Sequence, residues 1–167
     1  WGLAAGLAVA TAAAGPAGNE FFPFCIDWHD ARKRSFEQQA PMLKELGYPG
    51  VGHIWLDKVE ERLASLDGAG LRLFQITMIL DLTPGKPPYD GKRFRDVLAA
   101  IKGRQVQFCV IGKGLKSSDP AGDPRAVALL REMSELARDS GAQLLLYPHK
   151  KDWLERIQDA VRLADQV

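Results

Sequence analysis

The amino-acid sequence predicts an α/β chain of about five parallel β/α units, the layout of a partial (β/α)8 TIM barrel. Three observations carry that reading. Short apolar runs alternate with amphipathic helical stretches, an arrangement that makes the strands parallel. The longer runs are polar on one face only: Gln75, Thr77 and Asp81 oppose Phe74, Ile76, Met78 and Leu80, and Gln105, Gln107, Cys109 and Lys113 oppose Val106, Phe108 and Val110. The three histidines, His29, His53 and His149, each close an apolar run, on the carboxyl edge where parallel α/β folds bind ligands. A doubly wound sheet is covered by helices on both faces and prefers continuously apolar strands, whereas a barrel turns one face inward and becomes polar toward its mouth. The alternative, a complete flavodoxin-like five-stranded sheet, needs a phosphate loop after its first strand, where Trp28-His29-Asp30 stands instead. A complete barrel takes about 250 residues; the chain has 167.

The elements follow in order. Phe21–Asp27 is the first predicted strand, and a helix opens at Ser35, where Ser35 and Gln38 have the spacing of a capping box and Gly47 is placed as a stop. Pro41 falls inside that helix and is expected to kink it or delay its start. Gly50–Ile54 is the second strand, followed by a helix from about Asp57 to Leu66 with Asp57 and Glu60 at capping spacing. Leu71–Leu80 is the third strand. The loop Thr83–Lys92 after it holds three prolines and two glycines. A helix over about Phe94–Lys102 leads to the fourth strand, Gln105–Ile111. The next helix starts at Asp123-Pro124, with Val127, Leu130, Met133 and Leu136 or Ala137 on one face. The fifth strand is Ala142–Tyr147, and a last helix is expected to open at Asp152 with Glu155 three residues on.

Residues 1–18 differ from the domain at 19–167. Gly2–Ala17 is almost wholly Ala, Gly, Leu and Val and carries an A-x-A pattern at Ala12-Ala13-Ala14. It reads as part of a secretory leader, so the protein is expected to be exported, with no membrane segment in the mature form. Charge is balanced, 22 basic against 21 acidic residues for a net +1, which speaks against a nucleic-acid partner. Cys25 and Cys109 are expected as buried free thiols.

The candidate site residues sit at strand ends. His149 shares a strand face with Tyr147 across Pro148 and is a candidate for ligand contact. His53 is expected to face inward with Val51. Lys113 is expected at the mouth, where an ammonium meets a phosphate or carboxylate, and Trp28, with Trp55, flanks the same edge as a stacking surface for a sugar. Asp27 and His29, two residues apart, are the weaker candidates for a metal pair.

Phe21-Phe22-Pro23-Phe24, the unit Leu43–Val51, and Leu145–His149 ahead of Ala160–Ala164 make the sequence resemble the xylose isomerase-like TIM-barrel superfamily, the sugar phosphate isomerase/epimerase group. The resemblance covers about Phe21 to Val167. It implies a small carbohydrate as partner, a possible homo-oligomer, and a divalent metal (Mn, Mg, Co or Zn) that assists a proton shift. The family's first metal ligand is a Glu at the end of the fifth strand; Leu144–Lys151 contains none, and Tyr147 stands there. Two functions therefore remain open. One is a sugar isomerase or epimerase whose remaining parts lie beyond these five units, this segment alone being inactive. The other is a non-catalytic carbohydrate-binding barrel that has lost the metal.

Overall fold

Four parallel strands, β1 (Gly50–Ile54), β2 (Arg72–Asp81), β3 (Gln107–Lys113) and β4 (Gln143–Leu146), form one sheet in the order β1-β2-β3-β4. They belong to a computed structural model that describes residues 20–167. The predicted leader, residues 1–18, lies outside the described residues. The helices are α1 (Ile26–His29), α2 (Phe36–Glu45), α3 (Val59–Ala69), α4 (Gly91–Ala100), α5 (Asp123–Arg138) and α6 (Ile157–Ala164). Strand order that follows chain order without reversal is the winding of a barrel. A flavodoxin-like sheet reverses direction after its first unit, so the topology decides between the two architectures.

Side-chain parity positions everything else. Ile76, Met78 and Leu80 of β2 and Phe108 and Val110 of β3 are all at most 2% exposed. They pack with Leu43, Leu66, Val97, Leu130 and Met133 from the helix layer into one core. The opposite face carries Gln75, Thr77, Cys109 and Lys113, and there the Gln75 amide donates to Thr77 Oγ1 at 3.4 Å. Thr77 pairs with both Ile54 and Cys109 in register, which fixes the level of the inner face across three strands.

The structure corrects three expected elements. Phe21–Asp27 is not a strand. Pro23 has no N–H to give a ladder, and the segment meets β1 through the Gly52 N–H donating to Pro23 O at 2.9 Å before Ile26–His29 closes into the short α1. The segment still fills a strand's place. Phe22 stacks on Phe74 of β2 at 4.5 Å, and Phe24 reaches Tyr147 beyond β4 at 5.5 Å. The second helix begins at Val59 rather than Asp57, because Lys58 takes a left-handed conformation (φ 57°) and the Asp57 carbonyl is engaged by His53 Nε2 at 2.8 Å. The last helix starts at Ile157, not Asp152. Trp153 and Leu154, at 2% and 1% exposure, plug the core ahead of it. Their backbone is tied to β3 and its loop by Leu154 N–H to Gly112 O (3.0 Å) and Ser118 N–H to Trp153 O (2.9 Å).

The Ser35–Gln38 capping box is present, with Ser35 N–H donating to Gln38 Oε1 at 3.1 Å, and Pro41 is accommodated inside α2. Val127, Leu130, Met133 and Ala137 form the buried face of α5. No helix among the described residues is long and apolar enough to cross a membrane.

Candidate functional site

The inner face of the sheet opens at the carboxyl ends of its strands into a cavity of about 360 Å³. Its walls are aromatic: Phe24, Trp28, Trp55 and Tyr147. Ile54 at the end of β1, Thr77 within β2 and Ile111 near the end of β3 line it from the sheet, and His29, His149 and the Cys25 thiol supply polar atoms. Trp28 and Trp55 meet edge to face at 6.0 Å, and Tyr147 meets His149 in the same manner at 6.2 Å. Trp55 holds a left-handed backbone (φ 69°), rare for a bulky residue, and its N–H donates to Thr77 O at 2.9 Å. This turn sets its indole in the cavity wall beside Trp28. Trp28 is 60% exposed, which leaves its ring free for a ligand.

The structure brings Trp28, His29, Tyr147 and His149 to this cavity. Lys113 ends β3 on the inner side but is drawn to Asp152, its Nζ 3.7 Å from Oδ1. Two expectations are corrected. His53 does not face the barrel interior. It is 2% exposed on the helix side of β1, edge-on to Phe36 at 5.5 Å, with Nδ1 3.3 Å from Asp27 Oδ2. The pairing of Asp27 with His29 as metal ligands is not formed either. Successive helical residues turn by about 100°, so two positions apart on α1 the side chains diverge: His29 lies at the cavity and Asp27 turns inward to an ion pair with Arg62. Burial alone would raise the Asp27 pKa, but the His53 hydrogen bond and the Arg62 charge outweigh it and hold the carboxyl below its ordinary value.

Asp152 is the site residue that sequence reasoning missed. At Asp152 the capping spacing signalled a helix start; the chain instead makes a turn, with Asp152 N–H donating to His149 O at 3.1 Å and the carboxylate Oδ2 2.8 Å from His149 Nδ1. Phe24, Ile54 and Ile111 were also not singled out, because an apolar residue at a strand end carries no signal that separates a cavity wall from core.

The resemblance implies a divalent metal, and the residues present do not fit one. Among the described residues no three His, Cys, Asp or Glu side chains converge; Asp27 is committed to Arg62, and Leu144–Lys151 contains no Glu. A larger and more open groove of about 800 Å³ lies under the proline-rich loop beside Met78, Tyr89 and Arg93. Its main cation is already used: Arg93 makes a two-pronged pair with Glu60 at 2.7 and 2.6 Å. The aromatic cavity is the better candidate site.

No family model and no curated protein matches the sequence. The fold is similar to the crystal structure of the probable 3-DHS dehydratase AsbF involved in the petrobactin synthesis from Bacillus anthracis. The TM-score is 0.66 at 16% identity, covering 87% of this chain and 58% of that one. The chain thus spans less than two thirds of that protein's length. The neighbour has a TIM-barrel-like fold, and the present chain is a partial barrel of the same kind.

Proposed function

We propose that the strand-end cavity binds a small carbohydrate and that the protein acts on it as an isomerase or epimerase, by moving a proton between neighbouring carbons. One observation carries the reading: aromatic walls and two imidazoles meet over the carboxyl ends of parallel strands. Aromatic faces pack on the C–H faces of sugars while imidazoles and hydroxyls take their oxygens, the mix of apolar wall and few polar groups expected of a small-molecule site. The structural neighbour is described as a probable dehydratase. Elimination of water from a hydroxy-carbonyl compound and isomerisation of a sugar both begin by removing a proton beside a carbonyl, so the two chemistries ask the same of a site.

A second reading, a non-catalytic carbohydrate-binding barrel, is favoured by Tyr147 standing where the resembling family places a metal-binding carboxylate. Export of the protein is part of the proposal and rests on the leader-like composition of residues 1–18.

The test uses the full chain, titrated with pentoses, hexoses and their phosphates while tryptophan fluorescence is followed. Binding that shifts the emission and is lost in Trp28→Ala supports the site; no response to any of these sugars overturns it. Incubation of a binding sugar in D2O then separates the readings. Deuterium entering the carbon beside the carbonyl marks an enzyme and overturns the binder; a sugar held without exchange leaves carbohydrate binding as the activity of these units.

A further inference from the structure

We infer that His149 is the proton-accepting group of this cavity and that Asp152 is its positioning residue, an assignment that rests on the carbohydrate reading above. The two side chains are held by the backbone rather than by chance contact. The turn His149–Asp152 is closed by Asp152 N–H to His149 O at 3.1 Å and stitched to the following segment by His149 N–H to Leu154 O at 2.8 Å. Trp153 anchors the same turn, buried to 2% exposure with its indole N–H donating to Asp119 O at 2.7 Å. The imidazole and the carboxylate therefore keep their places without help from a ligand.

Within that frame the carboxylate has one use. Asp152 Oδ2 is shielded from solvent and stands 2.8 Å from His149 Nδ1, at ion-pair distance; no group among the described residues makes a hydrogen bond to it, so the imidazole is the nearest group able to satisfy it. The other oxygen, Oδ1, lies 3.7 Å from Lys113 Nζ, which pins the carboxylate from the β3 side. A carboxylate at Nδ1 selects the tautomer that carries its proton there and leaves Nε2 as the free base. His149 is half exposed, lines the cavity, and its Nε2 has no protein partner among the described residues. Among the described residues His29, the other imidazole of the cavity, has no carboxylate partner, so the geometry tells the two histidines apart.

The step this supports is a proton transfer. The C–H bond beside the sugar carbonyl breaks, its proton bonds to His149 Nε2, and the electron pair passes to the carbonyl oxygen as an enediolate. The imidazolium then delivers the proton to the neighbouring carbon while the hydroxyl proton passes to the first oxygen. Atoms and electrons balance with no further reactant. Asp152 stabilises the imidazolium between the two halves.

The experiment needs no known substrate. Long-range proton–nitrogen spectra of the ¹⁵N-labelled full chain report the His149 tautomer, and the rate of diethyl pyrocarbonate acylation, read by peptide mass spectrometry, reports the reactivity of its Nε2. The expected result is an Nδ1–H tautomer, with His149 acylated faster than His29. In Asp152→Asn the tautomer preference disappears and acylation slows about tenfold, and Asp152→Glu restores part of the rate. An Nε2–H tautomer in the unaltered chain, or tautomer and rate both unchanged in Asp152→Asn, overturns the assignment. Should Asp152→Asn not fold, the spectrum of the unaltered chain decides alone. Failure of the carbohydrate reading shows separately, as an Nδ1–H tautomer whose acylation no sugar slows.

Discussion

The Arg62 guanidinium, wholly shielded from solvent, ion-pairs with Asp27, whose second oxygen accepts the Ile54 N–H at 3.2 Å and faces His53 Nδ1 at 3.3 Å. Through these contacts one carboxylate joins α1, β1 and α3. Arg62 also lies over the Phe36 ring at 4.0 Å, which brings α2 to the same point. The segment that forms one wall of the aromatic cavity, Phe24–Trp28, thus hangs on a buried ion pair beneath it.

Asp27→Ala leaves the Arg62 charge buried without a partner, and breaking such a pair costs about 3–5 kcal/mol. The expected outcome in a urea titration is a loss of unfolding free energy of that size, with loss of the Trp28–Trp55 near-ultraviolet signal. The pH dependence has a definite sign. The folded carboxyl titrates below its unfolded value of about 4, so its contribution is complete above that pH and is lost as pH falls through the lower, folded value. Unfolding monitored between about pH 5 and pH 2 should show this slope, and Asp27→Asn should flatten it.

The α6 end of the molecule makes a parallel prediction. Arg162 donates to Asp123 Oδ2 and to Asp159 Oδ1, each at 2.7 Å, and Asp159 Oδ2 also accepts from Ser118 Oγ at 2.6 Å and Arg156 N–H at 2.9 Å. Burial opposes the charge on Asp159, but these donors prevail and hold its carboxyl at about 2. The network's stabilisation is expected above about pH 4 and fades as pH falls through about 2. Arg162→Leu should cost about 2 kcal/mol in thermal unfolding, less than a fully buried pair because the arginine is a third exposed.

Gly112 is where β3 passes beneath the rim turn. A methyl group there would sit 2.9 Å from Trp153 Cε3 and 3.1 Å from Leu154 Cβ. Gly112→Ala is expected to destabilise by about 1–3 kcal/mol through overpacking and to loosen the turn that carries His149 and Asp152. Faster backbone amide exchange at Leu154, whose N–H donates to Gly112 O, is the measurement that checks it.

The two thiols should differ in reactivity. Burial, with a smaller contribution from Cys25, pushes the Cys109 thiol up to about 11, so at pH 8 roughly one molecule in a thousand carries its thiolate. Cys25 is raised less and borders the open cavity. Iodoacetamide at pH 8 followed by peptide mass spectrometry should find Cys25 modified first and Cys109 slow until the protein unfolds.

Much of this architecture was legible along the chain. The polar and apolar faces of Leu71–Leu80 and Gln105–Ile111 became the inner and helix-side faces of β2 and β3, because strand parity is a local property that burial then respects. Tyr147 and His149 reach the cavity for a related reason, since residues that follow parallel strands share one edge, whereas Trp28 reaches it from the short helix α1. His53 was misjudged because β1 is five residues long with a register shift between Val51 and Gly52. In so short a strand a single irregularity decides which face a side chain takes.

By itself the sequence determined the parallel β/α alternation, the one-sided polarity of the long strands, the capping box at Ser35 and the helical face of α5. All of these follow from interactions between residues a few positions apart. Tertiary structure alone decided that Phe21–Asp27 is a packed segment ending in a helical turn and that Asp27 belongs to Arg62 rather than to His29. It also decided that Asp152 turns back to His149 instead of capping a helix. Each of these outcomes depends on burying a charge or a large aromatic side chain against a part of the chain distant in sequence. The free energy of that burial exceeds the local preference it overrides.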